Sequence, residues 1–283
     1  MEKQRSTTKR FEMNFKKIAL SHPARIYFLV AFVISWTGAI ILVAPKLLGG
    51  HPIAKLDGIL MFPIMLLGPA ASGIILIAAT EGKKGLRNLL FRMGKWKAPV
   101  KWYVTALVVP PCLIMLVLLF LKNFVAVAFT PNFFYFGFLF GIPAGFFEEI
   151  GWTGYVFPAL REKQKFLKAS IILGFLWGLW HLPVIDFLGA ASPHGNYLIL
   201  FFISFIAMLT AIRILIMWVY SNTNSLPLTQ LMHAVSTGCL ATFGPSALSA
   251  AQETLWYSLY AFALWITVLI IMKFKGIKSA NAS

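Results

Sequence analysis

Two adjacent glutamates, Glu148 and Glu149, lie inside the stretch PAGFFEEIGWTGYVFPAL, which runs from Pro143 to Leu160 and is otherwise apolar. The chain has only nine acidic residues, and the other seven fall at the ends of apolar segments or in loops. Two histidines share this greasy setting, His181 and His233. Arg213 stands late in another apolar segment, where a long side chain is expected to snorkel toward the interface. His22, His51 and His194 sit beside Pro or Gly and are expected to be solvated. Ionisable groups inside a membrane are costly and by default functional. A purely structural role, pinning neighbouring helices, fits one such residue better than two Glu and two His on three segments.

A carboxylic acid in an apolar cavity has its pKa raised toward neutrality. It can then take a proton from water and later return it to a leaving amine. Imidazoles can either ligate a metal, a divalent ion such as zinc, or donate hydrogen bonds to an oxyanion. Both arrangements describe amide hydrolysis, so Glu148, His181 and His233 are candidates for catalysis and for a metal site alike. No serine has a nucleophile-elbow setting and no HExxH is present, which leaves an activated water as the nucleophile. Neighbours on a helix point about 100° apart, so one glutamate should face the reaction centre and the other a supporting partner. Thr153 follows Glu149 by four residues and Thr237 follows His233 by four, each one turn along the same face.

These residues need helices in lipid to position them. Hydrophobic residues make up 59% of the 283 and charged residues 12%, and the mean hydropathy is +0.79. A soluble domain carries roughly twice that share of charge. Apolar runs near the roughly 20 residues that cross a bilayer recur along the chain. The expected fold is therefore all-α and polytopic, because a helix satisfies its own backbone in lipid. Eight spans are expected, near 26–46, 59–79, 102–121, 133–155, 169–188, 197–220, 226–244 and 255–273. Residues 1–25 form a basic N-terminal segment, 26–273 the membrane domain and 274–283 a tail. Phe11, Phe15 and Ile18 share a face among lysines and suggest a short interfacial helix. Pro143 and Pro183 can kink spans four and five and free backbone groups to line a polar cavity. Cys112 and Cys239 are expected to be buried free thiols.

The formal net charge of +16 is a topology signal. Of 25 basic residues, 22 fall before span one, between spans two and three, between four and five, late in six, or after eight. Only Lys46, Lys55 and Lys122 occupy the alternate loops. The basic side is expected to be cytoplasmic, with both termini inside a plasma membrane. No nucleic-acid partner is implied.

The stretches EEIGWTGYVFPAL, LGFLWGLWHLP and LMHAV, in that order, resemble the three signature motifs of the CPBP family, the CAAX-protease and bacteriocin-processing (Abi) intramembrane proteases. The likeness extends over about residues 26 to 273. It implies an eight-helix fold whose site opens toward the cytoplasmic side. It also implies that Glu148 is the general base, supported by Glu149, with His181 and His233 as the motif histidines. Members of the family are described both as metalloproteases and as metal-free glutamate proteases. Three positions depart from the pattern: Thr153 where the motif has Arg, Thr237 where it has Asn, and Trp177 where it has Phe. Lacking the arginine, Glu149 is expected to stay protonated and donate to the Thr153 hydroxyl. Thr237 is expected to orient water or His233.

The expected function is an intramembrane endopeptidase that acts on a peptide or protein in the bilayer, in peptide maturation or bacteriocin self-immunity. An inactive scaffold or immunity factor using the same cavity is one alternative, motivated by Thr153 and Thr237. A proton- or cation-coupled transporter using the two glutamates is another.

Overall fold

The computed structural model describes residues 13, 15–51, 53–187 and 194–275. Phe11, most of the basic N-terminal segment and residues 276–283 of the tail lie outside them. Residues 15–21 are helical. Among the described residues the chain forms helices and no strand.

The elements follow in an order set by apolar runs and by the prolines and glycines that interrupt them. They are α1 (Pro23–Leu48), α2 (Lys55–Met93), α3 (Val100–Phe124), a broken segment, α7 (Phe166–Trp180), α8 (Leu198–Thr223), α9 (Leu226–Phe243) and α10 (Ala250–Lys275). The broken segment consists of α4 (Phe138–Pro143), α5 (Glu149–Gly151) and α6 (Phe157–Arg161), joined by two wider π-helical stretches. Pro begins α1 and stands at the second position of α9, where its missing N–H costs nothing. Ser225 caps α9 by accepting from the Leu228 backbone N–H. Gly82, at φ 65°, breaks the helical path of α2 near its basic end.

Among the described residues six helices are long and apolar enough to cross a bilayer, so the chain is a multi-pass membrane protein. The two remaining expected spans are helical but do not meet that measure. They are the broken segment and α9, and both carry site residues. Polar side chains lower their apolarity, and the π stretches divide the first.

Helices α1 and α2 pack together, α8 holds α7 and α10, and α9 lies against α3 and α4. Leu29, Val33, Ile40, Leu107, Leu116, Ile203 and Phe262 point outward, as lipid requires. The most enclosed helix is α8, buried from Met208 to Tyr220. Close contact around the broken segment depends on missing side chains. A Cβ on Gly145 would sit 2.3 Å from the Gln230 carbonyl oxygen, and one on Gly141 2.1 Å from that of Ala234. Small residues here let α9 bring His233 against the glutamates.

Three sequence expectations are corrected. Cys112 faces outward, and only Cys239 is buried. His194 is not solvated: its side chain is buried, stacks on Phe201 at 3.7 Å and lies 3.3 Å from Glu253. Arg213 does not snorkel. It is fully buried near the middle of α8, because it has a partner there.

Candidate active site

Pro143 cannot donate a helical hydrogen bond, and immediately after it the helix widens into a π stretch over Ala144–Glu148. Pro183 likewise opens a π stretch just beyond His181. At both prolines the structure shows a π-helical stretch, each beside a site residue. The widened turns leave Glu148 and Glu149 facing different neighbours.

Glu148 is 2% exposed. Its Oε2 accepts from the indole N–H of Trp152 at 3.0 Å and of Trp177 at 2.7 Å. Glu148 and His181 together line a cavity of about 150 Å³, walled by Phe62, Met65, Trp180, Val184 and Ile185. His181 is half-buried, and its Nδ1 lies 2.8 Å from the Trp177 carbonyl oxygen. A carbonyl can only accept, so Nδ1 carries the proton and Nε2 of the neutral ring is left as an acceptor.

Glu149 turns away from that cavity and is fully enclosed. Arg213 donates from Nη1 to its Oε1 at 2.6 Å, and His233 Nδ1 lies 2.7 Å from the same oxygen. Thr153 donates its hydroxyl hydrogen to Oε2. The expectation that Glu149 stays protonated and donates to Thr153 is therefore corrected. The physical reason is Arg213, which reaches the carboxylate from α8 and supplies the countercharge that the motif would place at position 153. The Arg213 guanidinium also stacks on the Trp177 ring, 4.0 Å from its centroid. Gly174, one turn before Trp177 on α7, permits this approach, since a Cβ there would sit 3.1 Å from that of Arg213.

Of the five candidate catalytic residues, the structure brings Glu148 to His181 and Glu149 to His233. The Trp177 ring joins the two pairs, edge-on to His181 at 5.4 Å and to His233 at 5.1 Å. Thr237 is half-buried and stands outside this hydrogen-bonded cluster. A zinc ion needs several His, Cys, Asp or Glu atoms converging on one point. Among the described residues no three such side chains converge in that way. As arranged, Glu148, His181 and His233 do not fit a shared metal ion.

Sequence reasoning missed Arg213, Trp152 and the N–H of Trp177 as parts of the site. The signals were present. Trp152 follows Glu148 by four residues, Trp177 precedes His181 by four, and Arg213 is a cation amid apolar neighbours.

Residues 130–239 match the family described as type II CAAX prenyl endopeptidase Rce1-like. That range contains both glutamates, both site histidines, Thr237 and Arg213. A CAAX prenyl protease 2 from Methanococcus maripaludis is 27% identical over 227 residues, covering 74% of this chain and 80% of the relative. Both findings agree with the resemblance to the CPBP family. The CPBP motifs thus coincide with the polar cluster inside the membrane domain. The motif departures at Thr153 and Trp177 both fall within that cluster, Thr153 donating to Glu149 and the Trp177 N–H to Glu148.

Proposed function

We propose that this CPBP-like chain is an intramembrane endopeptidase of the CAAX prenyl protease type that cleaves a peptide bond with a glutamate-activated water. The observation that carries the reading is the cavity shared by Glu148 and His181, with Glu148 clamped by two indole N–H groups. A water there can donate one O–H to the Glu148 carboxylate and the other to His181 Nε2. Its remaining lone pair is free to attack a peptide carbonyl. Glu148 takes the water proton as the C–O bond forms, then passes it to the departing amine as the C–N bond breaks. Glu149, Arg213, His233 and Thr153 hold the frame around Trp177 and so fix the clamp. In this reading the chemistry runs on these side chains, and the cavity shared by Glu148 and His181 supports it.

The scaffold alternative drew on Thr153 and Thr237, and Arg213 weakens the first motive by supplying a charge partner to Glu149. Action in peptide maturation or bacteriocin self-immunity, in a plasma membrane with both termini cytoplasmic, completes the reading.

Cleavage of a fluorogenic peptide panel by the purified chain in lipid nanodiscs tests it. Glu148→Gln keeps a side chain of the same shape and should lower turnover by about 10²–10⁴-fold, the usual contribution of a positioned general base. A strong chelator should leave the wild-type rate unchanged. Equal rates for wild type and Glu148→Gln would end the proposal. Loss of activity to chelator, restored by zinc, would replace the water-and-glutamate chemistry with a metal one.

A further inference from the structure

We propose that the groove between α1 and α7, at the basic ends of the helices, is a binding site for one anionic phospholipid. Its phosphate is held by Arg25 and Lys163, and an acyl chain lies between the two helices. The site stands apart from the endopeptidase reading and uses none of the glutamates or site histidines.

The groove follows from how the helices pack. Helix α1 lies against α2 and α6, and α7 lies against α6 and α8. Between α1 and α7 a space of about 440 Å³ is left. Arg25, Lys163 and Gln164 stand at its mouth, and Phe28, Ile172 and Leu176 wall it. The mouth forms where α1 begins and where the chain turns from α6 into α7. Lys163 Nζ there approaches the Ser21 carbonyl oxygen at 3.5 Å. Deeper in, the Trp36 indole N–H donates to the Trp180 carbonyl oxygen at 3.0 Å and draws the two helices together. From Arg25 to Trp36 the helix rises about 16 Å. That is roughly half of a ~30 Å hydrocarbon core, the depth of one leaflet.

Charge selects the head. Arg25 and Lys163 are exposed. Among the described residues neither forms an ion pair, and none of those lining the groove is acidic. The neighbouring cavity of about 600 Å³ differs, because Glu81 and Glu162 accompany Arg92 and Lys95 there. Two cations and an amide without a carboxylate attract a phosphate. The basic ends are the expected cytoplasmic ends, and that leaflet is the one rich in anionic lipid. The N-terminal segment, with Lys3, Arg5, Lys9 and Arg10, would bring like charge to the mouth.

The walls select the tail. Phe28, Ile172 and Leu176 are half-buried, while their neighbours Leu29, Ile171 and Phe175 face outward. The groove therefore lies at the lipid-facing surface. A free phosphate would leave its apolar walls uncovered, whereas an acyl chain removes them from contact with the head region.

Native mass spectrometry of the full-length chain in detergent tests the site, with dioleoyl phosphatidylglycerol or dioleoyl phosphatidylcholine added. Phosphatidylglycerol should bind about 30-fold tighter, since each cation near the surface contributes about fivefold. Arg25→Gln combined with Lys163→Gln should remove that preference. Lys83→Gln combined with Lys97→Gln changes exposed cations outside the groove and should keep it. Ala24→Trp fills the groove, leaves both cations in place and should weaken both lipids. The glutamine pair tests the head and Ala24→Trp the tail, so if one fails to fold the other still decides. Unfolding midpoints without lipid show which variants are folded. Equal binding of the two lipids by wild type overturns the proposal. So does a preference that survives loss of Arg25 and Lys163, or one lost equally with Lys83 and Lys97. Inorganic phosphate should leave the wild-type midpoint unchanged where phosphatidylglycerol raises it. An equal rise with phosphate would assign the site to the free anion and overturn the lipid.

Discussion

At the residue scale, Glu148 depends on two tryptophans and Glu149 on one arginine. Trp177→Phe keeps the ring between His181 and His233 but removes the N–H that reaches Glu148 at 2.7 Å. A hydrogen bond to a charged group contributes about 1.5–3 kcal/mol, so kcat should fall roughly 10–100-fold. KM should change little, because the ring that shapes the site remains. Steady-state kinetics on the cleaved peptide would check this, and an unchanged kcat would remove Trp177 from the positioning role. Arg213→Met leaves the Glu149 carboxylate buried without its cation. Breaking one side of a buried pair costs about 3–5 kcal/mol, read as a lower unfolding midpoint in detergent. Adding Thr153→Arg should recover part of that loss, since position 153 already contacts Glu149 from one turn away. If the double variant is no more stable than Arg213→Met alone, the countercharge argument fails.

At the element scale, the site is held by close helix approach. The π stretches after Pro143 and from Pro183 orient Glu148 and follow His181, while glycines let α9 and α8 come near. Gly145→Ala drives a methyl group to 2.3 Å from the Gln230 carbonyl and must push α9 away. Overpacking of this kind costs about 1–3 kcal/mol. His233 rides on the same helix, so peptidase activity should drop further than the stability loss accounts for. Comparing turnover with thermal midpoints would show whether the helix shift reaches the catalytic pair. The sequence placed the prolines beside the key residues. A further close approach of α9 is at Gly238, where a Cβ would meet the Phe138 ring at 2.7 Å.

At the scale of the whole molecule, an even number of crossings places the two termini on one side. Reporter fusions at the N-terminus and after residue 275 should therefore both be active with a cytoplasmic reporter and silent with an exported one. A split result would require a different number of crossings. The broken segment and α9 are the elements at stake, because both are less apolar than the six clear spans.

Composition, the lysine and arginine asymmetry and the ordered motifs were enough to read a polytopic helical protein, its resemblance to the CPBP family and the candidates Glu148, Glu149, His181 and His233. Each of those signals is local: a hydropathy average, a charge count, or a spacing within one helix. Arg213 is 64 residues from Glu149 in the chain, and Trp177 is 29 from Glu148. No helical periodicity connects residues so far apart. Which glutamate faces the cavity, and which replacement balances Thr153, depended on how α7, α8 and α9 pack against the broken segment. Only the tertiary structure decided that, because buried charges settle where packing brings them a partner.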